Sequence, residues 1–247
     1  MPWSRGEMEA QLARQAVWLR DSLLWMIDWK ILSQWDGAGR PVALDVGCGP
    51  GHVMEIVRKV LDVAGVDVDH VAVETCHRKG LKAGAGTAEN LPFDDSSFDV
   101  VYCSFLMLWL KDPVRAVQEM KRVSRGWIVC LAEPDLGGRI DHPEELSGLR
   151  DIVARGIQSE GGDPYIGRKL RGIFDACGLE ADMGVHAGVW PLNKVREESE
   201  AEWRYVERTA DIDSKEGLRA LRRTWDESLA KGSMFQYNPV FFAFAKK

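Results

Sequence analysis

Surplus positive charge is missing from this 247-residue sequence, in which 32 Lys and Arg stand against 38 Asp and Glu for a formal net charge of -6. A chain that neutralises many phosphates carries the opposite balance, so nucleic acid is not the expected partner. Cysteine is sparse as well. The five thiols, Cys48, Cys76, Cys103, Cys130 and Cys177, are scattered, with no CxxC pair and no His-rich neighbour. Neither a zinc site nor a redox pair is spelled out, and free thiols in a reducing cytoplasm are expected. Long apolar runs are absent: the stretch Leu23 to Ile27 lies between Asp21 and Asp28, against the roughly 20 residues that a membrane span requires. The opening residues show neither the basic nor the apolar region of a secretory signal, which again points to the cytoplasm. No internal repeat or low-complexity linker occurs, so residues 1–247 read as one domain with insertions.

What is present is an ordinary globular balance, 45% hydrophobic and 28% charged, enough for one sizeable core at this length. From about Glu7 to Trp35 the apolar residues Leu12, Ala16, Leu19, Leu23, Ile27 and Ile31 recur at helical steps, with Trp18, Trp25, Trp29 and Leu32 as a second ridge. This segment, 7–36, is read as an N-terminal helical cap. Its polar face mixes Arg14, Arg20, Asp21, Asp28 and Lys30, which favours packing on the domain over peripheral contact with a membrane.

After Gly37, Gly39 and Pro41 the sequence alternates short β-like runs with helical ones. Strands are expected at Val42 to Val46, Val63 to Val68, near Ala83, at Phe98 to Cys103 and at Trp127 to Ala132. Helices are expected at His52 to Leu61, His70 to Lys79 and, behind Asp112 as N-cap and Pro113 at the first position, to about Val123. That alternation predicts a doubly wound, mainly parallel α/β sheet. Beyond Pro134 it loosens, with a helix at about Ile166 to Cys177 and strands at Met183 to Trp190 and Val240 to Ala245 completing seven strands. Residues 193–231 carry nine Lys or Arg and ten Asp or Glu, which reads as solvated helix.

The chemistry is concentrated in three places. The run Val42 to Gly51 places Gly47, Gly49 and Gly51 just after an apolar strand that contains Asp45, and just before a helix. Glycine permits the sharp turn and a close ligand, while the helix N-terminus offers free N–H groups. Asp67 ends the next strand, where a carboxylate can accept from both hydroxyls of a ribose, and Asp69 suits the lesser role of helix cap. The glycines are spaced GxGxG, with His52 where a dinucleotide fingerprint would place its third glycine. The third place is Gly86 to Phe93, Gly-Thr-Ala-Glu-Asn-Leu-Pro-Phe, followed by Ser97 to Val101.

Together these motifs resemble those of class I S-adenosylmethionine-dependent methyltransferases, over about residues 40–135. The match is closest to the branch that includes the ubiquinone and menaquinone biosynthesis methyltransferases. The resemblance implies a Rossmann-like methyltransferase fold, S-adenosylmethionine as methyl donor and S-adenosylhomocysteine as product. It implies a cofactor site at Asp45, Gly47, Cys48, Gly49, Gly51, Asp67, Val68, Thr87, Ala88, Glu89 and Ser104, with Val68 on the adenine face and Thr87 to Glu89 along its edge. Two departures stand out. Thr87 replaces the family's usual Asp or Asn, and Phe105 to Trp109 follow where a His often occurs, marking either an apolar acceptor pocket or core packing.

Methyl transfer needs orientation, and a base only where the attacking atom must lose a proton. His52, His142, His186, Asp135, Asp141 and Tyr165 are the candidates. His142 with Asp141 ranks first, because it falls in the segment 136–165 that, with 193–231, is expected to build the acceptor side. Glu133 and Asp135 lie nearby, but the spacing matches no ligand pattern and no metal is expected. Neither an Asp/Asn-Pro-Pro-aromatic motif after the fourth strand nor a Pro-Cys pair occurs, which sets aside the nucleic-acid enzymes that carry them. A small-molecule acceptor is expected, apolar or aromatic given Trp18, Trp25, Trp109 and Trp190, under a lid of the N-terminal helix and 193–231. Methylation of a protein partner and a non-catalytic binding module are the alternatives, and the oligomeric state is open.

Overall fold

The structure is a computed structural model in which residues 4–186, 189–210 and 215–247 are described. Its strands run β1 (Val42–Val46), β2 (Asp62–Asp67), β3 (Lys82–Ala85), β4 (Phe98–Ser104), β5 (Ser124–Pro134), β6 (Ile140–His142), β7 (Asp182–Val185), β8 (Phe235–Tyr237) and β9 (Val240–Lys246). The helices are α1 (Arg5–Lys30), α2 (His52–Val57), α3 (His70–Arg78), α4 (Pro113–Val123), α5 (Leu149–Ser159), α6 (Leu170–Ala176), α7 (Leu192–Thr209) and α8 (Lys215–Lys231).

Seven strands form one sheet in the order β3-β2-β1-β4-β5-β9-β7. The first five are parallel, and β9 enters antiparallel between β5 and β7. This is the expected doubly wound architecture, the Rossmann-like methyltransferase fold. The chain moves outward from β1 to β3 and then returns to place β4 on the other side of β1. The carboxyl ends of β1 and β4 therefore diverge at the topological switch point, where such sheets hold their ligands.

Alternation along each strand divides the core into two layers. Val101, Cys103, Ile128, Cys130, Ala243 and Ala245 face the layer shared with α4 to α8. Val100, Tyr102, Val129, Leu131 and Phe244 face the layer shared with α1, α2 and α3. Leu23, Met26 and Ile27 seat α1 in that second layer, so this helix packs on the domain, while Val17, Trp25 and Trp29 stay exposed. Among the described residues no helix is long and apolar enough to cross a membrane.

Local signals account for several boundaries. Ser4 and Glu7 close a reciprocal capping box on α1, Asp69 caps α3 by accepting from the Val71 amide, and Asp112 with Pro113 starts α4. Other expectations need correction. Strand β2 stops at Asp67, leaving Val68 70% exposed. The helix expected at Ile166 to Cys177 divides into a 3-10 turn, Ile166–Lys169, and α6. The strand expected to reach Trp190 ends at Val185, and residues 187–188 of it lie outside the described ones. Of the charged stretch 193–231, residues 211–214 lie outside the described ones, and α7 and α8 on either side form an amphipathic pair, not a solvated helix. Trp203 of α7 and Trp225 of α8 are buried edge to face at 5.5 Å, because their apolar stripes outweigh the surrounding charge. The short sheet of β6 and β8 was not expected from the sequence.

Candidate active site

The loop after β1 is built by glycine. Gly47, Gly49 and Gly51 have φ of 70°, 50° and 81°, the left-handed region that costs other residues about 1 kcal/mol or more. A Cβ on Gly47 would meet Leu106 Cδ1 at 2.6 Å, and one on Gly51 would meet Leu81 Cδ1 at 2.5 Å. At Gly49 the nearest atom would be Leu12 Cδ1 at 3.9 Å. Gly47 and Gly51 are thus closed in by protein, whereas Gly49 presents bare backbone to open space.

Amides of Gly47 and Cys48 both donate to the Val66 carbonyl, at 2.8 and 3.1 Å. Asp67 completes the strap, accepting from the Gly49 amide through Oδ2 at 2.7 Å and from the Asp69 amide through Oδ1 at 2.8 Å. Each carboxylate oxygen retains a lone pair for a further donor. The thiol of Cys48 turns into the core, where a Cβ on Gly65 would meet it at 2.6 Å.

Above this loop lies a cavity of about 670 Å³, lined by Asp45, Gly47, Cys48, Gly49, Asp67 and Ser104 among others. Its volume is within the range of pockets that enclose small molecules. Helix α1 supplies part of the wall through Leu12, Trp18 and Ser22, and α7 another through Glu202 and Tyr205. Two ion pairs hold these helices together, from Arg14 to Glu198 and Glu202, each at 2.9 Å. Four buried side-chain atoms of cavity-lining residues have no hydrogen-bond partner among the described residues: Trp18 Nε1, Asp45 Oδ2, His52 Nε2 and Ser104 Oγ. Orphaned polar atoms are rare inside proteins, and their concentration here fits a polar ligand. Burial drives the Asp45 carboxyl well above its ordinary range, a shift opposed by the nearby Tyr102 hydroxyl, which stands outside hydrogen-bond geometry and is itself unpartnered among the described residues, and reinforced by the charge of Asp67. An incoming cation would relieve that cost.

The remaining sequence-assigned positions are distributed differently. Gly51 is the N-cap of α2. Val68 and Thr87 are exposed, Ala88 is buried in the core and Glu89 is half-buried, all outside the cavity wall. They stand at the end of the β2 and β3 edge, joined to it by the Gly86 amide on the Asp67 carbonyl at 3.0 Å. The run after β4 serves both roles left open in the sequence: Met107 is core, whereas Phe105, Leu106 and Trp109 line the cavity. Phe105 has φ 53°, backbone strain at the site itself. Glu133 braces this turn, its Oε1 accepting from the Leu106 and Met107 amides at 3.0 Å each.

The first-ranked base does not reach the cavity. His142 is exposed on β6, and Asp141 is buried in a bidentate pair with Arg139, at 2.8 and 3.0 Å. The side chain of Asp135 is likewise engaged, by Arg168 at 2.6 and 2.7 Å, and Tyr165 stands off the wall. His186 does line the cavity, but Ser22 Oγ lies 2.8 Å from Nδ1 and the Leu131 carbonyl 2.7 Å from Nε2. Burial lowers its pKa, leaving a neutral ring bonded at both nitrogens. His52 also faces the cavity, its pKa lowered by burial and then by Lys79. Trp18, Trp109 and Trp190 line the wall as expected, while Trp25 points outward.

Arg139 and Glu202, both cavity-lining, were missed. The signals existed. Arg139, just before β6, stands two residues from Asp141 with the opposite charge, and Glu202 falls on the buried stripe of Val195, Ser199 and Val206.

A family model described as a methyltransferase domain matches residues 44–130. Over those residues the chain is similar to that family. An uncharacterised methyltransferase of Schizosaccharomyces pombe is 32% identical over 167 residues, 60% of this chain and 60% of that protein. The demethylmenaquinone methyltransferase of Staphylococcus aureus is 35% identical over 100 residues, 36% of this chain and 42% of that one. The chain thus matches at most about three fifths of the length of these relatives. The crystal structure of the YcgJ protein of Bacillus subtilis aligns with a TM-score of 0.58 at 19% identity, covering 92% of this chain and 97% of its own, a likeness of fold.

Proposed function

We propose that the chain transfers a methyl group from S-adenosylmethionine to a small molecule held in the roofed cavity. The observation that carries this reading is the convergence of the bare Gly49 backbone, the Asp67 carboxylate and the orphaned Asp45 and Ser104 oxygens on one cavity. Asp45 suits the ammonium of the cofactor's amino-acid part, Gly49 its close passage, and Asp67 the ribose hydroxyls. Val68 and Thr87 to Glu89 would flank the adenine at the open edge. When bound, the sulfonium supplies an electrophilic methyl group.

The chain's own contribution is orientation and exclusion of water by α1 and α7, which is where much of the rate of such a displacement arises. A cavity of about 670 Å³ is of a size to hold a small acceptor beside the cofactor, which supports that class over a protein side chain. Five buried cysteines with free thiols suit a reducing compartment, and we assign the protein to the cytoplasm on that ground. Titration calorimetry with S-adenosylmethionine, S-adenosylhomocysteine and NAD tests the reading. Micromolar binding of the two sulfur compounds and none of NAD is expected; failure of both would refute it.

A further inference from the structure

Two of the orphaned atoms in the cavity wall, Trp18 Nε1 and His52 Nε2, differ from the others in what they can do. An indole nitrogen only donates, whereas a carboxylate such as Asp45 accepts and a hydroxyl such as Ser104 does either. The role of His52 is fixed by its other nitrogen. Lys79 Nζ lies 3.3 Å from Nδ1, and an ammonium has nothing but protons to offer, so Nδ1 accepts. Burial and then Lys79 lower the pKa of the ring, against the pull of Glu55 and Glu9. A neutral imidazole that accepts through Nδ1 carries its proton on Nε2. His52 therefore holds out a single N–H donor, from a buried atom with no partner among the described residues.

The ring is also tied to the glycine loop. Lys79 bonds the Pro50 carbonyl at 2.9 Å as well as His52, and its charge is met by Glu55 at 3.1 Å. His52 follows Gly51 directly and opens α2, while Trp18 rides on α1 against Trp190, at 4.9 Å. What reaches Nε2 must therefore be an acceptor held beside this loop. On S-adenosylmethionine the ammonium and the ribose hydroxyls are donors, matched to Asp45 and Asp67, and the adenine belongs at the open edge beyond the cavity wall. The carboxylate of the amino-acid part is the strong acceptor left. Its countercharge is the cofactor's own ammonium, so a neutral donor suffices, and a hydrogen bond to an ionised acceptor is the stronger kind.

We infer that His52 is a cofactor-binding residue, donating from Nε2 to the carboxylate of the cofactor's amino-acid part while Asp45 takes its ammonium. This assignment rests on the reading of the cavity as an S-adenosylmethionine site.

The test is calorimetry on the full chain with S-adenosylmethionine and its decarboxylated form, which keeps the ammonium, the sulfonium and the nucleoside. The unaltered chain should bind the first at least about tenfold tighter. His52→Phe keeps a ring without the donor; it should weaken S-adenosylmethionine at least about tenfold and the decarboxylated form less than about threefold. His52→Gln, whose amide nitrogen stands in for Nε2, should restore most of the difference. Equal losses for both ligands would make His52 a packing residue and overturn the inference. So would equal binding of the two by the unaltered chain, or unchanged affinities in His52→Phe. Should His52→Phe fail to fold, NMR of the histidine rings in the unaltered chain decides. S-adenosylmethionine should shift one Nε2–H, assigned by its loss in His52→Gln, and the decarboxylated form should not; no such difference overturns the inference. Absence of binding by either ligand overturns the cofactor reading as well, whereas binding of both without a carboxylate preference overturns this inference alone.

Discussion

The Asp67 carboxylate accepts the Gly49 amide at 2.7 Å, tying the end of β2 to the middle of the glycine loop. One side chain therefore shapes the loop and faces the cavity. Asp67→Ala removes both contributions and should weaken S-adenosylhomocysteine binding by about 2 kcal/mol or more, roughly thirtyfold, in calorimetry. Unchanged affinity would move the ribose contact to another residue.

Alanine at two of the loop glycines should separate folding from binding. Gly47→Ala combines an unfavourable φ with an overlap on Leu106, and a loss of about 2–3 kcal/mol in urea unfolding is expected. Gly49→Ala meets no protein atom closer than 3.9 Å, so its stability loss should be near 1 kcal/mol. Its methyl group would intrude where the cofactor is proposed to pass, and binding should fall at least about tenfold. Similar binding losses in both variants at matched stability would argue against that distinction.

Glu133 should make stability depend on pH. Burial pushes its carboxyl up to about 8, against the pull of the Met107, Leu106 and Leu108 amides. From its ordinary value of 4.5 up to about 8, the folded chain holds a proton that the unfolded chain has released. The folded state binds more protons in that window, so stability falls as pH rises through it. Glu133→Gln keeps the oxygen that the two amides use but cannot titrate. Urea midpoints should decline more steeply between about pH 5 and pH 8 in the unaltered protein than in the variant; parallel slopes would mean an ordinary carboxyl.

The α7 and α8 pair should be integral to the fold. Trp225 is fully buried and donates from Nε1 to Ser199 Oγ at 2.7 Å. Trp225→Ala should cost about 3–5 kcal/mol in denaturant unfolding, in the range of other large-to-small core changes. A loss below about 1 kcal/mol would return this segment to the solvated helix that its composition suggests.

The parallel half was legible in the sequence because its signals are local. Capping by Asp69 and Asp112, the glycine spacing and the apolar runs of β1, β4 and β5 each act within a few residues of where they are written. The acceptor side was not, since its meaning depends on partners far along the chain. Arg14 meets Glu198 and Glu202 across 184 and 188 positions, and Ser22 meets His186 across 164. His142 looked the better candidate because histidine advertises proton chemistry, but the strand places it on the outward face. Arg139 and Glu202, which do line the cavity, are of residue types that usually signify an ordinary surface.

The roof over the cavity also has a consequence in time. Strands β1 to β5 can pair through short crossovers and α1 packs on α2 beside them, whereas the polar ties of Lys30, Ser22 and Arg14 reach Asp182, His186, Glu198 and Glu202 far along the chain. Such distant closures are the slow ones. The glycine loop should thus gain protection before the wall that α1 and α7 add above it, an order that pulsed hydrogen exchange during refolding checks.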